Sequence, residues 1–130
     1  MLRLNSSSSE AAIEFSEVDE EYFQVSLSGP DRSATRRVSA YTDLAGIPRV
    51  FAEAARDWRG WTGGKVWESI EGDFRLELTT DRLGHVALRV QINADQGGPD
   101  PWRHEAQITL DAGQLEAIAR ACERLWRSGV

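Results

Sequence analysis

The sequence predicts an α+β fold: a mostly antiparallel sheet of five to six strands with two helices on one face. Two stretches alternate apolar with polar residues, as half-buried strands do, and two other segments have helical spacing. No strand-helix-strand alternation indicates a parallel sheet, so an antiparallel sheet covered by helices is favoured. The predicted order is β-β-(β)-α-β-β-β-α, in which the third strand has the weakest pattern.

Length and composition predict a single domain. The chain has 130 residues, of which 41% are hydrophobic and 28% charged, values typical of a globular protein with one core. Residues 1–10 include four consecutive serines and little to bury, so we expect a disordered leader followed by one domain over residues 11–130. No membrane helix or secretory signal is expected. The single cysteine, Cys122, excludes an internal disulfide and favours a cytoplasmic location.

The first part of the domain reads as a meander of up to three strands. Alternation begins at Ala11 and resumes at Phe23, Val25 and Leu27 after an acidic turn. A weaker strand is expected over residues 34–42, because it follows a Gly-Pro-Asp turn.

A helix is predicted over residues 48–59. Pro48 suits a first helical turn, and Gly60 suits the residue after the helix. One apolar stripe is expected to face the core, and it consists of Val50, Phe51, Ala54, Ala55 and Trp58.

Three further strands and a final helix complete the prediction. The strands are centred on residues 74–78, 86–92 and 106–110, and Asp111 with Gln114 forms a capping box for the helix. The buried stripe of that helix is expected to contain Leu115, Ile118, Ala119, Cys122, Leu125 and Trp126. On this stripe the thiol of Cys122 is expected to be buried and unreactive.

The negative charge is concentrated near the start of the chain. The sequence has 15 basic and 21 acidic residues, a net charge of −6, and residues 1–31 alone hold one basic and seven acidic residues. Because nucleic acids and anionic membranes require a basic surface, neither is expected as a partner. Two interpretations remain open for the acidic segment: a solvated edge, or a surface that engages a basic partner.

Several segments resemble a family of small actinobacterial domains of unknown function. The segment 57–73 reads DWRGWTGGKVWESIEGD, and Gly84–Val86, Pro101–Trp102 and Leu110–Leu115 follow in the family's order. The resemblance covers roughly residues 40–125. It implies the fold and a bacterial, actinobacterial setting, and it implies no catalytic residue, substrate or cofactor.

Catalytic and metal-binding constellations have only weak support in the sequence. His85 and His104, with Glu68, Glu71 or Asp73, make up the one candidate set for a metal, a small ligand or an enzymatic reaction. No metal-ligand spacing such as HxH or HExxH occurs, and no G-x-S-x-G nucleophile motif is present. We therefore expect no catalytic residue, metal or cofactor.

The five tryptophans are the most unusual feature of the composition. Trp58 and Trp126 lie on the predicted helix stripes, whereas Trp61, Trp67 and Trp102 lie in or beside loops. The loop tryptophans form either a second small core or a patch that binds a partner, because Trp and Arg dominate protein interfaces. The predicted partner-binding residues are Arg59, Trp61, Trp67, Glu68, Glu71, Trp102 and Arg103.

The leading hypothesis is therefore a non-catalytic, cytoplasmic protein-interaction domain, of the kind found in immunity proteins and antitoxins. The expected partner is a protein that the sequence does not identify, and the oligomeric state is left open. The alternative is a metal- or small-ligand-binding protein, or an enzyme, that uses the two histidines and the carboxylates around Glu68.

Overall fold

Two four-stranded antiparallel meanders, each followed by a helix, make up the fold. A computed structural model describes residues 1–94, 98–99 and 101–129. The first half contains β1 (Leu2–Asn5), β2 (Ala12–Ser16), β3 (Tyr22–Ser28), β4 (Ser33–Ser39) and α1 (Gly46–Arg56). The second half contains β5 (Lys65–Glu68), β6 (Phe74–Thr80), β7 (His85–Ala94), β8 (Trp102–Asp111), a 3₁₀ turn (Ala112–Gln114) and α2 (Leu115–Ser128). The strands of each sheet are ordered as in the sequence.

The α+β class, the antiparallel pairing and the two helices are confirmed, but the single sheet of five to six strands is wrong. The structure has two sheets, β1-β2-β3-β4 and β5-β6-β7-β8. The sequence prediction lacks β1 and β5, which are only four residues long. A strand of four residues places two side chains on each face, so its alternation is too brief to distinguish from a loop.

The prediction of a disordered leader over residues 1–10 is wrong for its first residues. Leu2 and Leu4 pair with Phe15 and Ile13 of β2, and both leucine side chains are buried. The serine run then contacts the second sheet, where the Ser7 N–H donates to the Thr109 carbonyl at 3.0 Å. Serines carry short hydrogen-bonding groups, so a polar run of this kind joins two strands without any apolar signal.

Helix α1 buries the predicted stripe as far as Ala54 and then ends earlier than predicted. Its last residue is Arg56, and the N–H of Asp57 donates to the Glu53 carbonyl at 3.0 Å. Trp58 therefore lies beyond the helix and is 52% exposed, so its predicted burial is wrong. The helical period predicts which face a side chain lies on only for residues inside the helix.

Helix α2 has the predicted start and the predicted buried face. The N–H of Asp111 donates to Gln114 Oε1 at 2.9 Å, which is one half of the capping box. Leu115, Cys122 and Trp126 are buried together with Ile118. No helix among the described residues is both long and apolar enough to cross a membrane.

The two sheets share one core, and five aromatic rings lie at its centre. Phe15 and Phe23 come from the first sheet, Trp67 and Phe74 from the second, and Trp126 from α2. Neighbouring ring centroids are 5.5 to 6.2 Å apart and the rings are tilted or edge-on. Aromatic pairs prefer these arrangements, so the rings bind the two sheets and α2 into one unit.

Leu4→Ala should destabilise the domain although it lies in the predicted leader. Leu4 is buried against the core, so its truncation should lower the free energy of unfolding by about 2–4 kcal/mol in urea melts. Leu83→Ala is the matched control, because Leu83 is 82% exposed and should change the same quantity by less than about 0.5 kcal/mol. Equal, small effects of the two substitutions would contradict the assignment of β1.

Cys122 should resist alkylation until the protein unfolds. Burial raises the pKa of its thiol to about 12, so the folded protein holds almost no reactive thiolate at pH 8. Iodoacetamide should label the native protein only at its unfolding rate, and should label it fully in denaturant.

The same shift predicts a loss of stability in alkali. Above its ordinary value of 9.0 the unfolded thiol ionises while the folded thiol stays protonated. The unfolding free energy of the wild type, measured relative to Cys122→Ala, should therefore fall as the pH rises from 9 towards 12, by up to about 1.4 kcal/mol per pH unit. A pH-independent difference would show that the thiol is accessible.

Candidate functional site

The seven residues predicted to bind a partner lie in three places rather than one. We call the α1–β5 loop (57–64) and the β6–β7 turn (81–84) the loop end of the second sheet. The β5–β6 turn (69–73) and the start of β8 form the opposite end, here the far end. Arg59 and Trp61 lie at the loop end, Trp67 lies in the core, and the far end holds Glu68, Glu71, Trp102 and Arg103.

Trp67 is a structural residue. Its side chain is 5% exposed, and its Nε1–H donates to Asp43 Oδ2 at 3.2 Å. Gly46 packs so closely on the indole that a Cβ there would overlap it. Hydrogen bonding from Arg49, followed by that from Trp67, lowers the pKa of Asp43, so this carboxylate stays charged and holds the ring in place.

Trp61 and Lys65 anchor the α1–β5 loop. Trp61 is half-buried, and its Nε1–H donates to the Leu78 carbonyl at 3.2 Å. The Lys65 ammonium lies 5.1 Å from the centre of the Trp61 ring and 2.8 Å from Asp57 Oδ2. The hydrogen bond from Lys65 is the main reason why the pKa of Asp57 is lowered. These contacts tie the loop to the edge of the sheet.

The β6–β7 turn is fixed in a similar way. Asp81 Oδ1 accepts hydrogen bonds from the N–H groups of Leu83 and His85, at 2.7 and 3.0 Å. These backbone bonds lower the pKa of Asp81, and its Oδ2 lies 2.9 Å from His85 Nδ1. Arg82 adopts a left-handed conformation with φ 61° and donates to Thr62 Oγ1 at 2.5 Å. The turn and the loop therefore abut one another.

The α1–β5 loop and the β6–β7 turn together carry four exposed side chains, which we call the loop patch: Trp58, Arg59, Arg82 and Leu83. The Arg59 guanidinium lies 5.2 Å from the centre of the Trp58 ring. In the described part of the chain neither Arg59 nor Arg82 forms an ion pair with a carboxylate. The patch thus combines an exposed aromatic ring, an aliphatic side chain and two cations that are free to pair with a partner.

At the far end, a buried hydrogen-bond network holds the β5–β6 turn. The Ser69 hydroxyl donates to Asp73 Oδ1 at 2.6 Å, and Arg36 of the first sheet donates to Asp73 Oδ2 at 3.3 Å. Asn93 Nδ2 donates to the Gly72 carbonyl at 3.0 Å. The segment Trp67–Gly72 therefore serves the fold through its serine and glycine, and exposes Glu68, Ile70 and Glu71.

Trp102 and Arg103 lie beside this turn. Trp102 pairs with Ala94 and is 43% exposed. Arg103 is already engaged, because its Nε–H donates to Asn93 Oδ1 at 3.0 Å and its Nη1 lies 3.6 Å from a Glu105 oxygen. The cation that follows Trp102 in the sequence is therefore engaged, and the exposed Arg32 of the first sheet lines the same surface depression as Trp102.

The structure does not assemble the histidine and carboxylate set of the alternative hypothesis. His85 pairs with Asp111 at one end of β7, whereas His104 pairs with Ile92 seven positions further along, a separation of about 23 Å. Asp73 is buried in the network with Ser69. Within the described ranges, no three His, Cys, Asp or Glu side chains are grouped so that they would hold a metal ion.

The outer face of the second sheet is open, and its arginine side chains bind neighbours within the sheet. A groove of about 480 Å³ lies on it, lined mainly by Arg75, Glu77, Arg89, Gln91, Glu105 and Gln107. The Nη2 of Arg75 lies 3.8 Å from a Glu77 oxygen, and Arg89 donates to Gln107 Oε1 at 3.2 Å. This face is a balanced polar surface rather than a site of one charge.

Comparison with known proteins yields a family and no characterised relative. The model of a family of unknown function, DUF6228, matches residues 4–129. No curated protein and no solved structure matches the chain. The resemblance to a domain of unknown function is thereby confirmed. Because the match runs from the second half of β1 through α2 and covers nearly the whole chain, the chain belongs to the DUF6228 family.

Proposed function

We propose that this protein is a non-catalytic protein-interaction domain that binds its partner through the loop patch. The observation that supports the proposal best is the exposed Trp58 ring, which carries the Arg59 guanidinium at 5.2 Å. Trp and Arg are the residues most enriched at interface positions that contribute strongly to binding. Hydration of an exposed tryptophan ring is unfavourable, and a partner that covers the ring gains binding free energy because it removes apolar surface from water.

The base of the loop patch supports the proposal because it is already ordered. Trp61, Lys65 and Asp81 hold the loop and the turn through the hydrogen bonds described above. A surface that is ordered before binding loses less conformational entropy when its partner arrives. The unpaired charges of Arg59 and Arg82 favour a partner that offers carboxylates around an apolar depression.

The far end is the competing location. Its exposed ring, Trp102, has beside it a guanidinium that Asn93 and Glu105 already engage. A partner binding there must break these bonds or leave Arg103 out of the interface. Glu68 and Glu71 are exposed at this end, so an interface there would favour a basic partner.

The biological setting that we propose is the cytoplasm of an actinobacterium, with a role of the immunity or antitoxin type. The support is the small size, the net charge of −6, the single cysteine and an arginine-rich composition in which Lys65 is the only lysine. In such a role the domain blocks a partner by covering its surface, which requires no catalytic group.

Trp58→Ala should separate binding from folding. Because Trp58 is half-exposed and beyond the helix, its removal should cost less than about 1 kcal/mol of unfolding free energy. In quantitative affinity capture from the source cell, the partner retained by the wild type should bind Trp58→Ala at least about 30-fold more weakly, or 2 kcal/mol.

Trp102→Ala is the matched control, since it removes an exposed tryptophan at the opposite end of the sheet and should leave capture unchanged. If Trp102→Ala abolishes capture and Trp58→Ala does not, the far end is the interface. A melting temperature that rises with a divalent metal in the wild type, but not in His85→Ala, would instead favour the alternative of a metal-binding protein.

A further inference from the structure

An apolar groove lies between the start of α1 and the end of α2, away from the loop patch. Its volume is about 410 Å³, and it is lined by Leu44, Ala45, Pro48, Glu123, Trp126 and Arg127. Ala45 is exposed at its mouth, and the edge of the otherwise buried Trp126 forms its floor. The two charged lining residues pair with each other, so the exposed interior is mostly apolar.

The acidic β2–β3 loop, residues 17–21, lies near both chain segments that line this groove. The N–H of Ala40, just before the segment that leads to Leu44, donates to the Glu21 carbonyl at 2.7 Å. At the end of α2, Gly129 packs so closely on the Val18 carbonyl that a Cβ there would overlap it. The loop therefore contacts residues just before the first lining segment (44–48) and just after the second (123–127).

The free charges on the acidic loop are negative. Asp19 is occupied, because Arg37 donates to its Oδ2 at 2.8 Å and the N–H groups of Glu21 and Tyr22 donate to its Oδ1. Glu17, Glu20 and Glu21 are exposed, and the described residues offer them no ion-pair partner. The cation in the groove, Arg127, is neutralised by Glu123.

We propose that this groove binds a basic segment of a partner protein, with an aliphatic side chain over Trp126 and Lys or Arg side chains on the acidic loop. The apolar floor of the groove suits the aliphatic side chain of the partner, and the three free glutamates suit its basic side chains. A nucleic acid or an anionic membrane is disfavoured, because the same glutamates repel phosphate. The site is separate from the loop patch, whose free charges are positive.

The test uses the full chain and a defined probe, a fluorescein-labelled peptide of sequence GKRLLRKG. We expect its binding, followed by fluorescence anisotropy at low ionic strength, to weaken with added salt and to move the amide resonances of Leu44, Ala45 and Arg127. The peptide GKRAARKG tests the apolar anchor and GEELLEEG tests the charge. Both should bind at least about fivefold more weakly than the parent.

Two pairs of substitutions locate the site. Glu20→Lys should weaken binding at least about fivefold, whereas Glu10→Lys, an equal change in charge at the opposite end of the first sheet, should change it less than about twofold. Ala45→Arg should block the groove mouth, and Ala117→Arg, on an exposed alanine of α2 outside the groove, should not.

The proposal would be overturned by the absence of binding of the parent peptide, by equal effects of Glu20→Lys and Glu10→Lys, or by resonance changes confined to another surface. Sedimentation of the wild type that reveals a dimer dissociated by Ala45→Arg would show that a second copy fills the groove, and would also overturn it. The loop-patch substitution Trp58→Ala should leave peptide binding unchanged, so the two proposals fail independently.

Discussion

The contact between Phe15, Phe23, Phe74, Trp67 and Trp126 is the interaction on which the rest of the structure depends. In the described part of the chain the strands of one sheet do not pair with those of the other, so side chains rather than a continuous ladder hold the sheets together. Each half of the chain contributes rings to this cluster, and α2 adds the indole that closes it. Helix α2 carries one of these rings, and Gly46 of α1 packs against another, Trp67, so the cluster contacts both helices that line the groove.

A polar contact complements the aromatic ones. Arg36 of the first sheet reaches the buried Asp73 of the second, whose other oxygen accepts from Ser69. A buried carboxylate requires such partners, since desolvation without them is unfavourable. The pair gives the two sheets a fixed relative register that apolar packing alone specifies less strictly. These bonds also give the polar residues Ser69 and Asp73 a structural role, because they hold the β5–β6 turn in place.

Much of the fold was predictable from the sequence, and the candidate site was predictable only in part. The alternation in β3, β6, β7 and β8 and the stripe of α2 identify the core, because long elements repeat their period. Trp58 shows the limit: the helix ends two residues before it, and a change of that size at a boundary moves a ring from the core to the surface. Trp61 and Trp102 lie at opposite ends of the second sheet because of the direction in which its strands run. The spacing of residues in the sequence does not encode that direction. The apolar groove combines residues from two segments that are distant in the sequence, so no local pattern indicates it.

The strand order has a consequence for how molecules of this protein behave at high concentration. The outermost strands of the sheets are β1 and β4 in one and β5 and β8 in the other. The serine run bridges β1 to β8, which partly covers those two edges. Of the remaining two, β5 is only four residues long, and β4 carries Arg36 on the face that also bears Val38. Short edges and charges that point inwards hinder the addition of a foreign strand. We therefore expect Arg36 to hinder edge-to-edge association of molecules as well as to join the two sheets.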